Sequence, residues 1–248
     1  MTPYTQLETF LNQENEWLPS LSLDCVIFGF HDHELKVLLL KYRNVDALAL
    51  PGGFVHKEES IDEAAGRVLR ERTGLTDIYL EQFYVFGQKE RQNHLFNKTI
   101  IEAQGFQLPA DHWFIRRYVS VGYYALVDFL DVIPSPDYLS DSIDWYDVQT
   151  MPPLLLDHGQ IVRKALDTLR TLLEHNPAGF GRRAAPLLPD TFTMADLQRL
   201  YETILDQKLL RTNFQRKMLS LKVLERVDKK RTGKAHKAPY LYRFKPWQ

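Results

Sequence analysis

The chain has 248 residues, a formal net charge of −1, 44% hydrophobic and 25% charged residues, which is the composition of a soluble globular protein and excludes a disordered one. Its longest aliphatic runs, residues 37–40 and 154–156, fall far short of the roughly 18 apolar residues that span a bilayer, so no membrane partner is expected. Cys25 is the only cysteine, which excludes an intrachain disulfide and a cysteine-based zinc site; with no secretory pattern in residues 1–8, a reducing, cytoplasmic setting is expected.

Taken in chain order, residues 5–16 place Leu7, Phe10 and Leu11 at helical spacing and read as a short amphipathic helix ended by Pro19. Residues 23–30 and 35–42 read as a β-hairpin around the polar turn His31-Asp32-His33-Glu34. Leu48-Ala49-Leu50 leads into the break Pro51-Gly52-Gly53. A helix follows over 60–72, with Ser60 and Glu63 in capping-box spacing and Gly74 as its C-cap. Residues 78–86 form a strand. Residues 88–115 show no periodicity and read as a long loop or insertion. Strands follow over 118–129 and 143–148, separated by a turn with Pro134 and Pro136, and a helix over 157–174 carries Ile161, Val162, Ala165, Leu166, Leu169, Leu172 and Leu173 on one face. Residues 176–190, with Gly179, Gly181, Pro186 and Pro189, have the composition of a linker.

Charge divides at the same place. Residues 1–189 hold 17 basic and 26 acidic residues, a net of −9; residues 190–248 hold 14 and 6, a net of +8. Such asymmetry points to nucleic-acid contact by the tail. Within it, Thr193 and Asp196 have capping-box spacing ahead of the stripe Leu197, Leu200, Tyr201, Ile204 and Leu205. Thr212-Asn213 offers a second N-cap before a helix that turns Phe214, Met218 and Leu221 inward and leaves Gln215, Arg216 and Lys217 outside. Strands over 223–227 and 240–244 flank a basic turn over 228–239. Two short helices and a basic-tipped hairpin fit a winged helix-turn-helix, whose second helix reads the major groove. The DNA-contact candidates are Arg211, Thr212, Asn213, Gln215, Arg216, Lys217, Lys229, Lys230, Arg231, Lys234 and Lys237.

The segment 53–75 resembles the Nudix box. Gly53, Glu59, Arg67, Leu69, Glu71, Gly74 and Leu75 fall in the register of that signature with no gap. The resemblance implies an α/β fold over roughly residues 1–175, with a mixed sheet sandwiched between helices. A hydrolase of that family clusters carboxylates on the box helix to hold a divalent metal against a diphosphate, with Glu at the positions of 68, 71 and 72. These positions share one helical face. Here they are Val68, Glu71 and Arg72. Magnesium requires oxygen ligands; valine has none, and arginine stays protonated and repels the ion. Glu58, Glu59, Glu63 and Glu71 remain, but Arg67 lies four residues before Glu71, and an i,i+4 ion pair is the simpler role for that acid.

Gly52-Gly53-Phe54-Val55, Phe192-Thr193 and Leu241-Tyr242-Arg243-Phe244 extend the likeness to the Nudix-related transcriptional regulators, in which a degenerate Nudix domain senses a ligand and a C-terminal winged helix binds DNA. Some members of that group respond to ADP-ribose-type nucleotides and others to sugars such as arabinose. The expected organisation is a Nudix-like sensing domain over 1–183 and a winged helix over 190–248. The expected function is a ligand-responsive regulator with double-stranded DNA, a sugar or ADP-ribose-like effector and a second copy of itself as partners. It would have no catalytic residue, no metal and no cofactor, and the preferred effector is a sugar. The rival is a working Nudix hydrolase of a nucleoside-diphosphate-linked substrate, which would need magnesium; a blander third option is a protein-interaction module. The eight histidines show no ligand spacing: His31 and His33 are expected to face water, His56 to be exposed and His158 to cap or pair with Asp157. Tyr123, Tyr124 and Trp113 are candidates to stack on a sugar, against the commoner role of core aromatics.

Overall fold

The computed structural model describes residues 2–76, 78–91, 94–229 and 238–246. Helix α1 (Pro3–Leu11) starts two residues earlier and ends five residues earlier than its periodicity predicts. Thr2 caps it by accepting the Thr5 N–H at 3.2 Å, and Pro3 occupies the first helical position, where its missing N–H costs nothing. A 3-10 turn (Glu14–Glu16) follows. Strand β1 (Trp17–His31) then begins before Pro19, which does not end the preceding helix but lies in a bulged stretch of the strand, between the pairs Trp17–His56 and Ser22–Phe54. A bulge is where a strand tolerates proline.

Strand β2 (Glu34–Tyr42) returns through Asp32 and His33, both at positive φ (50° and 67°), as a two-residue type I′ hairpin turn requires. Strands β3 (Leu48–Ala49) and β4 (Gly52–His56) lead to α2 (Ile61–Thr73), whose capping box is complete and whose C-cap Gly74 is left-handed at φ 73°. Strand β5 (Leu80–Phe86) follows. The stretch expected to be a loop contains α3 (His94–Ala103) between 3-10 turns at Lys89–Arg91 and Trp113–Ile115. Ile100 and Ile101 are both buried, but the helix is only ten residues long, so its apolar spacing repeats too few times within 88–115 to stand out. Strands β6 (Val119–Leu126) and β7 (Ser140–Asp147) and helix α4 (His158–His175) close the larger body.

The sheet runs β3-β2-β1-β6-β5, with β4 also on β1 and β7 also on β2. Among the described residues, only β1 and β6 pair in parallel. Both faces of the central strands are covered, which is why their sequences read as unbroken apolar runs. Leu23, Cys25, Ile27, Leu38 and Leu40 point to α2 and pack on Ala64, Ala65, Val68 and Leu69. Val26, Phe28, Val37 and Leu39 point the other way, to Ile161, Val162, Ala165 and Leu169 of α4. The architecture is the mixed α/β sandwich expected. Tyr123 and Tyr124 belong to these two cores, their hydroxyls bonded to Asp62 and Glu81.

Residues 176–190 are not an open linker. They form α5 (Pro177–Arg183) and a 3-10 turn (Ala185–Leu187), with Phe180, Ala184, Leu187 and Leu188 buried in the core that α4 shares. Gly181 is there for close approach: a Cβ would stand 2.8 Å from Phe244 Cε1. The C-terminal unit comprises β8 (Phe192–Thr193), α6 (Met194–Leu205), α7 (Arg211–Ser220), β9 (Leu224–Lys229) and β10 (Tyr240–Phe244), with sheet order β8-β10-β9. Thr193 caps α6 through the expected capping box. The cap expected for α7 is not where the spacing puts it: the helix begins at Arg211 after Leu210, so Thr212 and Asn213 lie in its first turn.

Phe180 is fully buried and meets Tyr201 edge-on at 5.3 Å. Phe180→Ala is therefore expected to cost about 3–5 kcal/mol in urea unfolding. The same truncation in a solvated linker would stay within about 0.5 kcal/mol, and that result would contradict the packing described.

Candidate functional sites: a cavity on the box helix and a basic helix face

A cavity of about 510 Å³ opens between α1, β1, β4 and α2. Its volume lies in the range of small-molecule sites. Of the box residues, Gly53, Arg67, Val68, Glu71 and Arg72 line it. Glu59 stands beside it and Gly74 ends the helix outside it. Phe10, Trp17, Phe54 and Tyr138 supply an aromatic wall, in which Phe10 and Tyr138 rings lie 5.1 Å apart. Trp113 is behind this wall, its Nε1–H donated to the Leu11 carbonyl at 2.9 Å, so neither it nor the two sheet tyrosines faces the cavity.

Three of the box acids are engaged by neighbouring groups. Arg67 donates to Glu59 Oε1 at 2.7 Å and Oε2 at 3.1 Å, and to the Phe54 carbonyl at 2.9 Å. Burial pushes the Glu59 carboxyl up, but the Arg67 bonds and the His56 backbone N–H outweigh it and hold the group below the usual carboxylate range. Glu63 accepts the Ser60 N–H and closes the capping box. Glu71 pairs with Arg67 at 3.5 Å, the i,i+4 contact expected. Val68 is buried against Gly53, where an added Cβ would meet its Cγ2 at 3.0 Å. At the box face a magnesium ion would meet one methyl-bearing side chain, two guanidinium groups and a single cavity-lining carboxylate, Glu71, already paired with Arg67. The donor set does not fit the ion.

Opposite the box lies a polar network drawn from distant segments. Arg91 donates to Asp157 at 2.8 and 3.0 Å and to Asp24 at 2.9 Å; Ser120 Oγ–H donates to Asp24 at 2.6 Å. His158 Nδ1 accepts the Leu50 N–H at 2.9 Å, and its Nε2 stands 3.6 Å from Asp24 Oδ1. The acceptor role of Nδ1 leaves the neutral imidazole proton on Nε2, facing the carboxylate. Gly52 is required beside this network, since a Cβ would clash with the Leu23 carbonyl at 2.6 Å. None of Asp24, Arg91 and His158 is prominent in the sequence: each is a single polar residue bordering an apolar or patternless stretch. His56 stacks on Trp17 at 3.9 Å and His31 on Phe129 at 4.3 Å, so both are more engaged than expected.

On the C-terminal unit, α7 buries Phe214 and Met218 and exposes Arg211, Thr212, Asn213, Arg216 and Lys217, with Gln215 half-buried. Arg216 reaches back to Asn213 Oδ1 at 3.3 Å. Lys229 is exposed at the end of β9, and Arg226 stacks on Tyr240 at 3.8 Å. Lys230, Arg231, Lys234 and Lys237 lie outside the described residues. No helix among the described residues is long and apolar enough to cross a membrane.

Two family models match: one described as the NUDIX domain over residues 19–167, and one described as the NrtR DNA-binding winged helix domain over residues 184–244. The ADPR responsive transcriptional repressor NtrR of Acinetobacter baylyi is 27% identical over 233 residues, covering 91% of this chain and 82% of that protein. An ADP-ribose pyrophosphatase of Methanocaldococcus jannaschii is 26% identical over 151 residues, covering 58% of this chain and 72% of that one. The crystal structure of Shewanella oneidensis NrtR superposes with a TM-score of 0.67 at 25% identity, over 91% of this chain and 94% of that one.

Burial holds the His158 imidazole below its ordinary value, ahead of the opposing pull of Asp24. The unfolded chain therefore takes the proton first as the pH falls. Its contribution to stability is whole above about pH 6.5 and is lost below it, at up to about 1.4 kcal/mol per pH unit. Unfolding free energies measured from pH 7 to pH 5 are expected to fall more steeply for the wild type than for His158→Gln. Parallel curves would contradict the buried neutral imidazole.

Proposed function

This chain belongs to the NUDIX domain family, and from that premise we propose that it is a ligand-responsive transcriptional regulator. Its box cavity takes a small-molecule effector without hydrolysing it, and its winged helix binds operator DNA. The observation that carries the reading is the joining, in one chain, of a box helix whose cavity face is Val68, Glu71 and Arg72 to a winged helix whose exposed second-helix face is Arg211, Thr212, Asn213, Arg216 and Lys217. The first face has lost two carboxylates of three; the second carries the charge that neutralises phosphates.

The effector we propose is ADP-ribose or a close nucleotide relative, in place of the sugar preferred by family analogy. The Acinetobacter baylyi relative is named for its response to ADPR, and it aligns with this chain through both domains. ADP-ribose also appears in the name of the Methanocaldococcus jannaschii relative, a pyrophosphatase, so a shared ligand with divergent chemistry is consistent with both. A homodimer is part of the proposal, because one winged helix has a small footprint and two would read half-sites spaced by one or two turns of DNA.

Fluorescence anisotropy on a fragment of the promoter this protein regulates tests the reading. Binding should weaken steeply with salt, with a log–log slope near about −5 if about six phosphates are contacted. Arg216→Ala should reduce specific binding more than non-specific binding. ADP-ribose incubated with the protein and magnesium should stay intact. A salt-independent signal would remove the DNA reading. Turnover at about 1 per second or faster that Glu71→Gln abolishes would restore the hydrolase.

A further inference from the structure

Three guanidinium groups line the cavity, and they are in different states. Arg67 donates three hydrogen bonds and Arg91 donates to two carboxylates. Arg72 has a side chain only 12% exposed, yet its Nε is buried with no hydrogen-bond partner. The ion-pair partners of its Nη2 stand at 3.6 Å (Asp137) and 3.9 Å (Glu71), beyond hydrogen-bonding reach. A guanidinium has five donors, and a buried charge whose donors are unmet is costly.

Other bonds hold the segments that carry both partners. The carbonyls of Arg72 and Thr73 accept the N–H groups of Ser135 and Ile133 at 3.0 and 2.9 Å, which hangs the loop bearing Asp137 on the last turn of α2. Asp137 Oδ1 is itself held by the Leu139 N–H at 3.0 Å and the Ser140 hydroxyl at 2.7 Å. Glu71 is shared with Arg67. Arg72 thus lines the cavity with its Nε buried and unpartnered and with its Nη2 paired to two carboxylates only at ion-pair distance.

The geometry points to Arg72 as the group that receives the diphosphate of the effector, standing in for the metal ion of a family hydrolase. The inference rests on the cavity being the effector site proposed above. A guanidinium supplies charge and bidentate hydrogen bonds to phosphate oxygens. It supplies no Lewis-acid site at which to generate hydroxide. The same substitution that removes a metal ligand therefore keeps affinity for a pyrophosphate and removes the means of cutting it. The aromatic wall of Phe10, Trp17, Phe54 and Tyr138 offers the nucleoside end a stacking surface.

Calorimetric titration of the full-length chain with ADP-ribose, once in EDTA and once in excess magnesium, tests this. The wild type is expected to bind with equal affinity in both. Arg72→Gln is expected to lose about ten- to a hundredfold, with a wild-type circular dichroism spectrum and a cooperative unfolding transition as the check of folding. Should that check fail, Arg72→Lys decides: it keeps the charge but not the planar fork, and a measurable loss is expected. Inorganic pyrophosphate separates this inference from the proposed effector. If pyrophosphate binds in an Arg72-dependent, EDTA-insensitive way and ADP-ribose does not, the effector is wrong and the role of Arg72 stands. Binding abolished by EDTA, wild-type affinity in the folded variant, or no binding of either probe overturns it.

Discussion

Helix α4 is the element on which the arrangement of the two sites depends. Its first residue, His158, accepts the Leu50 N–H beside the cavity. Its apolar stripe lies on the sheet against Val26, Phe28, Val37 and Leu39. Further along, Arg170 Nε–H donates to the Ile204 carbonyl at the end of α6, at 2.8 Å. Eighteen residues of helix span about 27 Å. Phe180, Leu197, Leu200, Tyr201, Phe214, Met218 and Tyr242 belong to the same core as the sheet residues. The winged helix is consequently packed on the larger body and not tethered to it. The β1–β2 turn adds to this, since the Thr203 hydroxyl donates to the His33 carbonyl at 3.1 Å and Arg199 meets the His33 ring at 3.2 Å. Close-packed interiors shift between discrete arrangements and do not deform freely, so a change at the first turn of α4 has a physical route through α6 to α7.

A second constraint acts at the box itself. A loop–helix–loop with Gly53, Glu59, Arg67 and Gly74 is stabilised by contacts that do not need a metal: the bidentate Arg67–Glu59 pair, the capping box of Ser60 and Glu63, and the left-handed Gly74. The scaffold can therefore keep its shape while the side chains at 68 and 72 change. Exchanging a carboxylate for a guanidinium at 72 changes the local charge by two units. It turns a face suited to a cation into one suited to an anion.

Much of this was legible in the sequence because its signals were local. Ser60/Glu63 and Thr193/Asp196 bracket their helices as the spacing demands, and the central strands read as apolar runs because both faces are buried. Three misreadings have physical causes. Glycines at 179 and 181 look like a linker, but Gly181 is small because Phe244 lies against it. Pro19 looks like a helix stop, but it sits in a strand bulge. Residues 88–115 look patternless because their one helix is short and set between irregular turns. The box face was readable from i, i+3, i+4 spacing. The network of Asp24, Arg91 and His158 was not, because its members are 67 and 134 residues apart from Asp24 and only the fold brings them together.

Thermodynamic linkage offers the most direct measurement on the central claim, that the cavity and the recognition helix are coupled through one core. ADP-ribose affinity is measured calorimetrically on the free protein and on the protein saturated with its operator. The account predicts that the two affinities differ, and that they differ by the same factor by which ADP-ribose changes the affinity for DNA. Identical ADP-ribose affinities in the two states would contradict it.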